Sequence, residues 1–154
     1  MQQIEGVVVK GLSPHKDSRG MVLELLRADD PSFEKFGQAY ITTCRQGIAK
    51  AWHYHEQQSE YFTCVKGILK LVLYDGRKGS PTKGEVNEFR ISLDNPLLVK
   101  IPPFVYHGFE CGDSEELLAV CIKTEPYDRE HPDKINIRFD DPKIPYKWES
   151  KEGG

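Results

Sequence analysis

Apolar residues along the chain fall in short runs, most of them alternating with polar positions at a period of two: "EGVVVKGL", "GMVLELL", "QAYITTC", "YFTCV", "GILKLVLY", "NEFRIS", "LLVKIP" and "LLAVCIKT". Successive side chains on a strand point to opposite faces, so this spacing predicts β-strands with one face buried. Between the runs lie "SPHKDSRG", "DGRKGSPTKG", "LDNP" and "ECGDSEE", built from residues that tolerate turn geometry. The rhythm predicts an all-β antiparallel sandwich or barrel. In "GILKLVLYD", Leu69, Leu71 and Leu73 share one face and Ile68, Lys70, Val72 and Tyr74 the other, so only one face is uniformly apolar. At most one short helix is expected, near "DDPSFEKFG", where Asp30 can cap, Pro31 can take the first turn and Gly37 can end it. The polar, Pro-rich "DDPKIPYKWESKEGG" predicts a C-terminal strap over 141–154 that ends in a loose tail. No repeat or linker divides the chain.

A length of 154 residues suits a single domain with one substantial core, and therefore one site. The formal net charge is -3 and basic residues are scattered. That distribution leaves no electrostatic footprint for nucleic acid or an anionic membrane, so small molecules or proteins are the expected partners. "MQQIEGVVVKGL" lacks the basic flank and apolar core of a secretory signal, and no later apolar run could span a bilayer. A cytoplasmic protein is expected. Cys44, Cys64, Cys111 and Cys121 are widely spaced, without a C-x-x-C pair, and are read as reduced, partly buried thiols.

Chemistry concentrates in "GIAKAWHYHEQQSEYFTCVKG", whose pattern is G-x5-H-x-H-x4-E-x6-G. On a strand His53 and His55 share a face, and a turn can bring Glu60 back beside them. Imidazole and carboxylate ligands suit Zn, Fe, Mn or Ni. His107, in "IPPFVYHGF", is a fourth candidate ligand. Strand histidines facing solvent would be the plainer account, but three of the chain's five histidines fall in these two segments. Trp52, Tyr54 and Phe109 are read as packing the sheet faces.

These two segments resemble the paired motifs of the cupin superfamily, which implies a double-stranded β-helix, or jelly roll, with two His and a Glu from the first motif and a His from the second. The second motif departs at Phe104, where the superfamily usually has Gly, and at Cys111, where it usually has Asn.

A narrower resemblance runs from about Asp17 to Pro142, to the dTDP-4-dehydrorhamnose 3,5-epimerases. "DSRGMVLE" is similar to that family's D-x-R-G-x-x-x-E, "KAWHYH" to its R-G-L-H-Y-Q, "VKGILKLVLYDGRKGSPTKG" to its segment ending D-x-R-x-x-S-P-T-x-G, and "IPPFVYHGF" to its I-P-E-G-F-A-H-G-F. The resemblance implies a sugar nucleotide substrate, with His53 as catalytic base and Arg19, Glu24, Lys50 and His107 as substrate-binding residues. It also implies no organic cofactor and a homodimer, whose N-terminal segment "QQIEGVVVKGL" is apolar enough to add an edge strand.

Three family roles have no counterpart at the matching positions. Glu60 stands where the family has an enolate-steadying Lys, and Ile122 where it has an acid Tyr, while the orienting Asp falls in a C-terminal segment not found here. The exchange of Lys for Glu60 and of Gln for His55 also completes the metal-ligand face of His53, His55, Glu60 and His107. An epimerase or isomerase of a 4-keto-6-deoxy sugar nucleotide is therefore expected, with altered catalytic residues and a possible divalent metal. Tyr61 and Tyr106 are candidates to move protons. The alternatives are a metal-dependent cupin of unrelated activity, such as an oxygenase or decarboxylase, and a non-catalytic sugar-nucleotide binding module.

Overall fold

In the computed structural model, which describes residues 2–154, strands carry the whole architecture and no helix occurs among the described residues. They are β1 (Val8–Gly11), β2 (His15–Asp17), β3 (Gly20–Val22), β4 (Gln38–Arg45), β5 (Ile48–Tyr54), β6 (Glu60–Lys66), β7 (Leu69–Tyr74), β8 (Val86–Ile91), β9 (Leu97–Ile101), β10 (Tyr106–Cys111), β11 (Glu116–Lys123), β12 (Ile135–Asn136) and β13 (Glu152–Gly153). Two sheets form a jelly roll, one ordered β1-β9-β6-β11-β4 and the other β12-β5-β10-β7-β8, with β13 added to β5. β2 and β3 form a separate two-stranded hairpin. β1 is an edge strand paired with β9 of its own chain.

The alternation read from the sequence decides what lies between the sheets. Leu69, Leu71 and Leu73 enter the main core with Phe62, Val99, Ile101, Phe109, Leu117 and Ala119. The opposite face of β7 is also covered: Val72 joins a second core with Trp52, Ile144 and Trp148. On that covered face the Lys70 ammonium lies 3.0 Å from Glu110 and 2.9 Å from Glu149. All four cysteines are buried free thiols.

The glycines of two segments are steric necessities. Gly67, at φ 72°, turns β6 into β7 where a Cβ would lie 2.4 Å from the Glu116 carbonyl oxygen. At Gly108 a Cβ would come within 2.3 Å of the Ala51 methyl, so the "HGF" glycine lets β10 press against β5 where their register shifts.

Three expectations are corrected. The helix near "DDPSFEKFG" does not form, because its polar groups are engaged elsewhere. The Tyr61 hydroxyl donates to Ser32 O and accepts from Glu34 N–H, the Asp30 carboxylate takes Lys10 and the Arg27 N–H, and Gly37 N–H donates to Lys123 O. "GMVLELL" is a strand only through Val22, after which Leu23, Leu25 and Leu26 pack on Tyr61, Leu98 and Leu12. The tail is tied rather than loose. Glu152 and Gly153 pair in parallel with Ile48 and Ala49, and Gly154 N–H donates to Ala49 O.

Candidate active site

β5, β6, β10 and β11 bring the site together. His53 and His55 project to the same side of β5 and its continuation, His107 is the register partner of His53 on β10, and Glu60 opens β6. One ligand atom from each of His53, His55, Glu60 and His107 can be chosen so that all four lie within 4.8 Å of one another. His55, Glu60 and His107 are buried, and His53 is half-buried.

The Glu60 carboxylate is the hub. Its Oε2 lies 2.7 Å from His107 Nε2, and its Oε1 lies 2.8 Å from both His55 Nε2 and Lys123 Nζ. Burial alone would raise its pKa, but the close approach and hydrogen bond of His107, together with the proximity of His55, outweigh this and hold the carboxyl well below the usual range. His53 is pushed the other way, well below the ordinary imidazole value, first by burial and then by His107. His53 is therefore neutral near pH 7, with a lone pair to offer.

The outer ring nitrogens fix what the inner ones can do. His107 Nδ1 faces Val105 O at 3.0 Å and His55 Nδ1 faces Asp133 O. A carbonyl only accepts, so each Nδ1 carries a hydrogen and each Nε2 turns inward against Glu60. His55 Nε2 and Glu60 Oε1, although close, are not aligned for a hydrogen bond and have no other directed partner. A buried, carbonyl-backed set of imidazoles around a carboxylate fits a divalent cation by its donor chemistry.

A cavity of about 650 Å³ opens beside the cluster, lined by Tyr40, Thr42, Trp52, His53, Phe62, Phe109, Asn136 and Gly154, and by the cations Lys50, Lys123, Lys134 and Arg138, with no Asp or Glu side chain in its wall. Of the cluster residues, His53 alone lines it. Lys50 Nζ also reaches Thr42 Oγ1 at 3.3 Å. The Lys134 ammonium has its pKa pushed down, first by burial and then by the charge of Lys123.

The other expected site residues lie elsewhere. Tyr61 follows Glu60 on β6 and so points to the opposite face, where its hydroxyl is tied to residues 32 and 34. Tyr106 precedes His107 and likewise points outward, packing on Tyr54 and Tyr74. Neither reaches the cluster as a proton carrier. Arg19 and Glu24 do not line the cavity. Arg19 pairs with Asp17 on the exposed hairpin, and Glu24 with Arg27. His107 meets Glu60 rather than the cavity wall.

Sequence reasoning missed Lys123, Tyr40, Lys134, Arg138 and Asp133 as site residues. A signal existed for the first two. In "LLAVCIK" the inward row is Leu117, Ala119, Cys121 and Lys123, and a charge ending an apolar inward row marks a cavity. In β4 the inward row Gln38, Tyr40, Thr42 and Cys44 is largely polar for the same reason. Asp133 accepts the N–H groups of Glu56, Gln57 and Gln58 at 2.8, 3.0 and 3.1 Å, a long-range clasp that no local pattern announces.

Residues 1–153 match the family described as dTDP-4-dehydrorhamnose 3,5-epimerase. The chain is 38% identical over 148 residues to the spore coat polysaccharide biosynthesis protein SpsL of Bacillus subtilis, covering 96% of this chain and 98% of that one. It is 36% identical to the probable low-salt glycan biosynthesis epimerase Agl13 of Haloferax volcanii, over the full length of both. The crystal structure of a dTDP sugar isomerase from Desulfovibrio desulfuricans superposes with a TM-score of 0.88 at 32% identity, covering 94% of this chain and 92% of that one. With its fold, its histidine cluster and its basic cavity, the chain belongs to the dTDP-4-dehydrorhamnose 3,5-epimerase family, isomerase-type enzymes that act on sugar nucleotides.

Proposed function

We propose that this protein epimerises or isomerises a 4-keto-6-deoxy sugar nucleotide, with His53 removing a proton from the carbon next to the ketone. The observation that carries this reading is the position of His53: a neutral imidazole of the buried cluster, opening onto a cavity walled by four cationic side chains and no Asp or Glu side chain. A diphosphate suits that wall, with Lys50, Lys134 and Arg138 toward its charges and the sugar toward His53. The names of the relatives, a dTDP sugar isomerase and a glycan biosynthesis epimerase, support the substrate class. Incubation with a dTDP-4-keto-6-deoxyhexose in deuterated water tests it. Deuterium should enter next to the ketone, and its exclusion there refutes the reading.

A second reading is favoured by the misaligned His55 Nε2 and Glu60 Oε1: a divalent transition metal held by His53, His55, Glu60 and His107. When bound, such an ion would polarise a ketone oxygen as a Lewis acid. His53 would then be a ligand rather than a free base, so the two readings separate on one measurement. Metal content after tag-free purification should approach one equivalent if the ion is resident. Less than about a tenth of an equivalent leaves the metal-free base. The protein is further proposed to act in the cytoplasm as a homodimer.

A further inference from the structure

Proton removal beside a ketone leaves negative charge on the ketone oxygen, and His53 cannot both take the proton and neutralise that charge. Some donor in the same wall must face the oxygen. His55 and His107 are excluded, since their outer nitrogens are spent on carbonyls and their inner ones face Glu60. Lys50, Lys134 and Arg138 belong to the more exposed part of the wall. Lys123 remains. It is the cross-strand register partner of Glu60, its side chain is nine-tenths buried, and its Nζ lies 2.8 Å from Glu60 Oε1.

That contact is ionic rather than directed, since among the described residues Glu60 Oε1 has no aligned hydrogen-bond donor. An ammonium carries three N–H groups, so one carboxylate contact leaves others to donate. Lys123 lines two neighbouring cavities, of which one is the His53 chamber, and the Tyr40 ring, in the wall of the same chamber, lies 5.3 Å from the ammonium. Glu60 thus acts as an anchor, holding an ammonium in the wall of the chamber that His53 also lines.

We infer that Lys123, fixed by the Glu60 carboxylate across the β6–β11 ladder, is the catalytic cation that stabilises the enolate oxygen of the substrate. The inference rests on the proposed epimerase reading. As His53 takes the proton, the C–H electron pair becomes the C=C bond and the carbonyl π pair moves onto oxygen, where a Lys123 N–H donates to it. Collapse of that pair, with a proton returned to the carbon from solvent, restores the ketone.

The test compares wild type with Lys123→Met, Lys123→Gln and Lys123→Arg, folding being checked by circular dichroism. Deuterium exchange into a dTDP-4-keto-6-deoxyhexose and binding of dTDP are both measured. Loss of one such donor should lower the exchange rate about 10²–10³-fold in the Met and Gln variants, with dTDP affinity within about threefold and part of the rate kept by Arg. Exchange within threefold of wild type in a folded Met or Gln variant overturns the inference, as does a loss of dTDP binding parallel to the loss of rate, which would make Lys123 a phosphate contact. Wild type that exchanges no deuterium refutes the epimerase reading itself, and the inference with it.

Discussion

Asp133 does the work of two residues. Its carboxylate collects three successive backbone N–H groups from 56–58, while its carbonyl takes the outer nitrogen of His55. Burial raises the pKa of its carboxyl, but the three N–H bonds outweigh this and the net shift is downward. A depressed carboxylate stabilises the fold above its unfolded pKa of about 3.9, and that contribution is lost as the pH falls through the lower folded value. Asp133→Ala should therefore cost about 1–3 kcal/mol at pH 7. In urea denaturation the gap to wild type should close only below about pH 4. A gap that does not change between pH 7 and pH 3 would assign the loss to packing rather than to the clasped charge.

At the scale of elements, alternation made most strands legible, and the residues in them landed on the expected faces. What it left illegible was the far side of the β5-β10-β7 sheet. Period two says that Lys70, Val72 and Trp52 share an outer face but not that 144–150 returns to cover it. The covering is anchored by charge: Glu110 accepts the N–H groups of Glu149 and Ser150 and sits 3.0 Å from Lys70 Nζ, with both side chains at most 4% exposed. Removing one member of a buried pair leaves the other uncompensated, so Lys70→Met should cost about 3–5 kcal/mol. Hydrogen exchange should rise over residues 148–153, where the strap and β13 depend on that anchor. Adding Glu110→Gln to Lys70→Met should recover part of the loss. A strictly additive double variant would mean that the pair is not coupled.

For the whole molecule, His53, His55 and Glu60 could be read in advance because their spacing is local, and His107 because a second motif carries it, whereas the cavity wall could not, because Tyr40, Lys123 and Lys134 are brought together by pairings between distant segments. The same limit applies to assembly. The β2–β3 hairpin stands apart from both sheets with all six of its residues exposed, Met21 at 43% and Val22 at 64%, and Ile41 is 63% exposed on the edge strand β4. A short hairpin with no buried face has little to hold it in water. A second copy covering these apolar residues would supply what one chain does not. Light scattering coupled to size exclusion should give twice the 17.6 kDa chain mass, and Met21→Asp with Val22→Asp should shift it to the monomer while leaving the circular dichroism of the sheets unchanged. A wild-type chain that runs as a monomer at micromolar concentration would refute the homodimer. A double variant that stays dimeric would move the interface away from the hairpin.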